Sequence, residues 1–186
     1  MTEPLWLQKA RDNLGLKEIV GPQHEKRVLQ FYAEAGHPEI KDDETAWCAA
    51  FANAMLYRAG VKGTGALNAR SFLSWGQTVE LKDAKPGDLA IYKRGDSAWQ
   101  GHVNFFLRTV GDKIEGLGGN QGNAVSITTM PKASLLGIRR PILAKAPAVA
   151  PVTPPAPAPV CEPPVVSHEP DAPAGLWGSL VKKIWG

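Results

Sequence analysis

From Ala146 to Pro173 the chain is dominated by proline and alanine: Ala146-Pro147-Ala148, then Pro154-Pro155-Ala156-Pro157-Ala158-Pro159, then Pro163-Pro164. Each proline fixes φ and removes a backbone donor, so this stretch favours an extended, solvated chain and adds nothing to a packed core. It reads as a semi-rigid spacer. Of the 186 residues, 1–143 are therefore expected to form one folded domain of ordinary size. Residues 144–173 form a linker and 174–186 a separate C-terminal segment.

The formal net charge is only +3, which gives no case for a nucleic-acid partner and is compatible with a polyanionic surface. The two cysteines, Cys48 in the domain and Cys161 in the linker, have no partner in a disulfide framework and suit synthesis in a reducing compartment. The sequence Met1-Thr2-Glu3-Pro4-Leu5-Trp6 lacks the basic and apolar regions of a signal peptide. No apolar run is long enough to span a membrane. A monomer made in the cytoplasm is expected, with export or release by other means if its target lies outside.

Hydrophobic spacing and glycine stops predict helices over Pro4–Leu14, Gln23–Ala35 and Asn68–Gly76. A further helix, opened by Asp42-Asp43-Glu44-Thr45 and running to Ala59, is too apolar for a surface helix and is expected to be buried. After Pro86-Gly87 the pattern shortens to candidate strands over 88–92, 102–107, 113–117, 124–128 and 135–139. The turn Gly111-Asp112 marks a hairpin. Helices first and short strands afterwards predict an α+β fold with an antiparallel sheet.

Cys48 sits near the start of the buried helix, where the macrodipole favours a thiolate. A thiolate nucleophile needs a base within hydrogen-bond reach, and His102, after Gly101 on a strand, is the candidate. The imidazole needs a polar residue on its other nitrogen. Asn120, in Gly118-Gly119-Asn120-Gln121 after the neighbouring strand, can supply it. A zinc site fails on ligand count, because no second Cys or His stands at ligand spacing. No cofactor is expected. Trp47 beside the nucleophile and Asp43 are accessory candidates. Trp47 also suits the core, and Asp43 with Glu44 suits the N-terminal charge of a helix.

Glu44-Thr45-Ala46-Trp47-Cys48-Ala49-Ala50-Phe51, Pro86-Gly87-Asp88-Leu89, Gly101-His102-Val103 and Gly118-Gly119-Asn120-Gln121 occur in this order. The series resembles NlpC-type and CHAP cysteine hydrolases, and it looks most similar to a phage-associated branch. That branch also has Ala69-Arg70-Ser71-Phe72-Leu73 and ends near Leu135–Pro141. The resemblance covers roughly residues 5–141. It implies a papain-like core with N-terminal helices packed on a small antiparallel sheet. It also implies hydrolysis of a peptidoglycan amide, either muramoyl–L-alanine or a stem-peptide bond, through a thioester. Carried onto this chain, Cys48 is nucleophile, His102 base and then acid, and Asn120 the orienting residue, with Gln121 as its alternative. The chain departs from the pattern at Asn104, where many relatives have a small or aliphatic residue. The implied role is that of an endolysin. An exported antibacterial amidase and a non-catalytic wall-binding or phage structural module are the other readings.

In the C-terminal segment, Leu176, Trp177, Leu180, Val181 and Ile184 share one helical face, with Lys182 and Lys183 away from it and Trp185 at the boundary. Such a segment suits an anionic membrane interface or docking on a protein.

Overall fold

The computed structural model describes residues 2–143. The linker and the amphipathic C-terminal segment read from the sequence lie outside the described residues. Helices α1 (Leu5–Arg11), α2 (Lys26–Glu34) and α3 (Cys48–Arg58) come first. Strands β1 (Gln77–Val79), β2 (Leu89–Lys93), β3 (Gly101–Val110), β4 (Lys113–Gly118), β5 (Ser126–Pro131) and β6 (Leu135–Arg140) follow. The strands form one six-stranded sheet in the order β1-β6-β2-β3-β4-β5, with every pairing antiparallel. The fold class is the α+β class expected from the sequence.

Alternation along the strands sorts side chains between two faces. Leu89, Ile91, Val103, Phe105 and Leu117 face the helices and join Phe31, Trp47, Phe51 and Met55 in the main core. Ala90, Tyr92, Phe106, Ile114 and Ile138 form a smaller cluster on the opposite face. Phe51 of α3 packs edge-on against Phe31 at 5.2 Å, Phe105 at 6.3 Å and Trp47 at 6.4 Å, which fixes the helix on the sheet.

Several boundaries differ from expectation. The segment read as a fourth helix is a 3₁₀ helix over Ala69–Ser74. The short β1, pairing with β6, was not anticipated. The largest correction concerns α3, which starts at Cys48 itself rather than near Asp42. Asp42 does make the bond of a helix cap: its Oδ1 accepts from the Thr45 N–H at 2.8 Å and from the Thr45 hydroxyl at 2.8 Å. Those bonds close a bend over Asp43–Thr45 instead of a helical turn. Asp43 is not a helix-terminal charge either. It is fully buried and its Oδ2 accepts the N–H groups of Ile19 and Glu25, both at 2.8 Å. Its Oδ1 lies 3.0 Å from His24 Nδ1. Glu44 accepts the Gly21 N–H at 2.9 Å. The acidic run thus fastens the 18–25 loop to the approach of α3.

The same loop reaches the far end of β4. Backbone bonds Gly15–Val125, Val125–Leu16 and Glu18–Asn123 lay residues 15–18 beside 123–125. Trp47 Nε1 donates to Glu18 at 2.8 Å. Gly119 passes directly over this junction: a Cβ there would lie 2.5 Å from Trp47 Cζ3 and 2.6 Å from Phe51 Cβ. Gly119→Ala is therefore expected to destabilise the domain by about 1–3 kcal/mol through overpacking, read as a lower urea midpoint with an unchanged m-value.

Candidate active site

Cys48 is the first residue of α3 and lies on the wall of a cleft of about 340 Å³. Thr45, Ala46, Asn68, Arg94, Trp99 and Gly101 also line it. Gly101 opens β3 and directly precedes His102, so the cleft runs to the strand end that carries the imidazole. The loop between β2 and β3 forms the opposite wall. Arg70 braces this loop: Nε donates to Gln100 O at 2.8 Å, Nη2 to Ser97 O at 2.6 Å, and Nη1 to Ala98 O. A single planar guanidinium thereby holds three carbonyls of one loop. Gly101 has no room for a side chain, since a Cβ would meet Tyr92 O at 2.9 Å and Arg70 Cγ at 3.1 Å.

The imidazole is held from β4 and the loop after it. His102 Nε2 lies 3.0 Å from Gln121 Oε1. The same oxygen accepts from Asn104 Nδ2 at 3.1 Å. Gln121 Nε2 donates to Ser126 O at 2.5 Å and to Gly116 O at 3.4 Å. Two carbonyls can only accept, so they fix which end of the amide is nitrogen. Its oxygen must then face His102, and an acceptor there requires Nε2 to carry the proton. The neutral imidazole is therefore the Nε2–H tautomer with Nδ1 bare. The ring also stacks on Tyr92, centroids 6.4 Å apart and 27° between planes. Tyr92 is paired with it across the β2–β3 ladder, and its hydroxyl donates to Asn104 Oδ1 at 3.4 Å.

Of the two residues put forward for orienting the imidazole, the structure thus gives the contact to Gln121. Asn120 has a left-handed φ of 55°, which asparagine tolerates better than most residues, and makes no side-chain hydrogen bond among the described residues. Its conformation turns the chain so that Gln121 points back under His102. Asn104, read as a departure from the family pattern, belongs to the cluster. The signal for it lay in Gly116 and Gly118: a Cβ at either would meet Asn104, at 2.4 Å and 2.8 Å. Trp47 is fully buried and does not line the cleft, and Asp43 is likewise buried in the loop junction. Neither is an accessory cleft residue. Trp75 donates to Lys62 O and packs edge-on against Phe72, away from the cleft.

Burial dominates the electrostatics. It pushes the Cys48 thiol above its ordinary value, although the amides of Val103 and Ala49 and the charge of Arg94 oppose it. The helix-start effect expected from the sequence is present and loses to desolvation. Burial also pushes His102 below its ordinary 6.5, against the Gln121 bond and reinforced by Arg94. Thiol and imidazole accordingly rest uncharged. No hydrogen bond joins Cys48 to His102 among the described residues. The backbone amides of Val103 and Ala49 act on the sulfur. No group of three or more His, Cys, Asp and Glu side chains among the described residues could hold a metal ion.

No protein-family description matches the chain, and no curated protein is similar to it in sequence. Among solved structures, one similar fold is that of a lipoprotein-like protein of the NLP/P60 family from Staphylococcus aureus Mu50. It is 17% identical, with a TM-score of 0.49 over 77% of this chain and 44% of that one. This chain therefore spans less than half the length of that protein.

The tautomer and the depressed imidazole are both measurable. Nitrogen NMR of His102 at pH 7.5 should show the neutral Nε2–H form, and Gln121→Ala should convert it to a mixture of tautomers. The folded ring binds its proton more weakly than the unfolded one. The stability this confers is complete above about pH 6.5 and declines as pH falls through that value. His102→Gln should shallow the fall of thermal stability between pH 7 and 5.

Proposed function

We propose that this chain is a cysteine hydrolase that cleaves an amide bond of bacterial peptidoglycan. The observation that carries the reading is the amide of Gln121, which leaves His102 with a bare Nδ1, on the strand whose first residue, Gly101, lines the same cleft as the helix-start Cys48. In this reading Nδ1 takes the proton of Cys48 as Sγ attacks the scissile carbonyl. The tetrahedral oxygen is met by the backbone N–H of Cys48. The imidazolium returns the proton to the leaving amine and a thioester remains. Water, deprotonated by the same nitrogen, releases the acid and restores the thiol. Gln121 holds the ring through Nε2–H at every stage and accepts no proton itself.

The resemblance of the Trp47-Cys48-Ala49-Ala50-Phe51 and Gly101-His102-Val103 blocks to NlpC-type and CHAP enzymes supplies the wall as target. It also supplies the role of a phage-type endolysin made in the cytoplasm and released onto the wall. In that role the C-terminal segment around Trp177, Lys182 and Trp185 brings the enzyme to an anionic membrane. Removing residues 146–186 should then slow lysis of whole cells while leaving digestion of purified sacculi unchanged.

Purified sacculi test the chemistry. Wild type should clear them and Cys48→Ala should not; equal clearing by both would exclude Cys48 as nucleophile. Gln121→Ala should lower the rate by about 10²–10⁴-fold, whereas Asn120→Gly, which keeps the left-handed backbone, should stay within about threefold of wild type. Because neutral His102 is the active form and its pKa is depressed, the acid limb of kcat/KM should fall below pH 6.5.

A further inference from the structure

The cleft that holds Cys48 contains one permanently charged side chain, Arg94, on the loop between β2 and β3. No acidic residue lines it. Every other arginine of the described residues is engaged by the protein. Arg11, Arg27, Arg58, Arg108 and Arg140 pair with carboxylates. Arg70 is spent on loop carbonyls and Arg139 on the Thr78 hydroxyl. Arg94 has neither an ion pair nor a side-chain hydrogen bond among the described residues, and Asp96, two positions on, does not pair with it. Its loop is nevertheless fixed in place, by Arg70 from one side and by the Ser97 hydroxyl accepting the Gln100 N–H at 3.1 Å from within. A cation held at a cleft wall with no anion of its own is poised to take one from the ligand, and a guanidinium matches a carboxylate with two parallel bonds.

Arg94 lines the same cleft as Cys48, and its charge acts on both Cys48 and His102. An anion bound there would lie in the cleft that Cys48 lines. Trp99, 67% exposed on the same loop, adds an apolar wall beside the charge.

We propose that Arg94 is the carboxylate-binding residue of this cleft and makes the enzyme select peptidoglycan whose stem-peptide carboxylates are free over peptidoglycan in which they are amidated. This inference rests on the hydrolase reading above. A primary amide has the shape of the carboxylate but not its charge, so the discrimination comes from the loss of a charge-assisted pair.

The test compares the full chain on two batches of the same purified sacculi, one untreated and one with its carboxylates converted to primary amides by carbodiimide and ammonia. Release of soluble fragments is followed with Cys48→Ala as the blank. Wild type should digest the untreated batch about ten- to a hundredfold faster than the amidated one. Arg94→Gln should lose that ratio by slowing on the untreated batch alone, and Arg94→Lys should retain part of it. Equal rates of wild type on the two batches, or a preference that survives in Arg94→Gln, would overturn the assignment of Arg94 while leaving the hydrolase intact. Release from neither batch by wild type would overturn both. Arg94 is exposed, and matching thermal unfolding of the variants separates lost selectivity from lost fold.

Discussion

A primary amide accepts only at its oxygen and donates only from its nitrogen, and Gln121 uses both ends. The nitrogen is committed to Gly116 O and Ser126 O, while the oxygen is shared between His102 and Asn104. The protonation pattern of the imidazole follows from those commitments. So does the need for the loop after β4 to be held still. That loop is fastened by Gln121 N–H on Ala124 O, by the Ser126 hydroxyl on Gln121 O, and by the N-terminal segment at 15–18. The 18–25 loop continuing from that segment is in turn tied by Asp43 to the residues before Cys48. The two halves of the candidate site, one on α3 and one on β3, are thus registered through the same stretch of chain.

At Cys48 two familiar effects oppose each other. The first-turn amides of a helix stabilise an anion by about 0.3–1 kcal/mol in ordinary settings, while removing a charge from water shifts a buried group by up to about 3–5 pKa units. The second is the larger, and the thiol is pushed up. A helix start is therefore insufficient for a standing thiolate here. The imidazole of His102 is moved by burial in the complementary direction, so thiol and imidazole both rest neutral.

Much of this was legible in the sequence. The helix carrying Cys48, the strand carrying His102 and the antiparallel sheet followed from spacing, turns and glycine stops. What failed did so for definable reasons. Asp42 to Thr45 has the side-chain bonds of a helix cap, but the same bonds close a non-helical bend, and only the distant partners of Asp43 at Ile19 and Glu25 decide between them. β1 is three residues long and is a strand only because β6 lies beside it. Asn120 and Gln121 are neighbours, and sequence position cannot say which one points back; the left-handed φ at Asn120 does. Trp47 adjoins Cys48 in sequence, yet it is buried against Phe51 while Cys48 lines the cleft.

Asn104 shows how the sheet accommodates this arrangement. It is almost fully buried in the middle of β3, where an unpaired amide would cost about 1–3 kcal/mol. Its nitrogen is satisfied by Gln121, and its oxygen by the Tyr92 hydroxyl, itself pushed upward by burial and so kept as a donor. The facing strand gives up two side chains, at Gly116 and Gly118, to make the space. Glycine weakens a strand, yet a Cβ at either position would collide with Asn104. The sheet thus forgoes local stability at two positions to seat an asparagine whose nitrogen meets the same oxygen as His102. The hollow in β4 thereby admits a donor that fixes the oxygen of Gln121 under the imidazole.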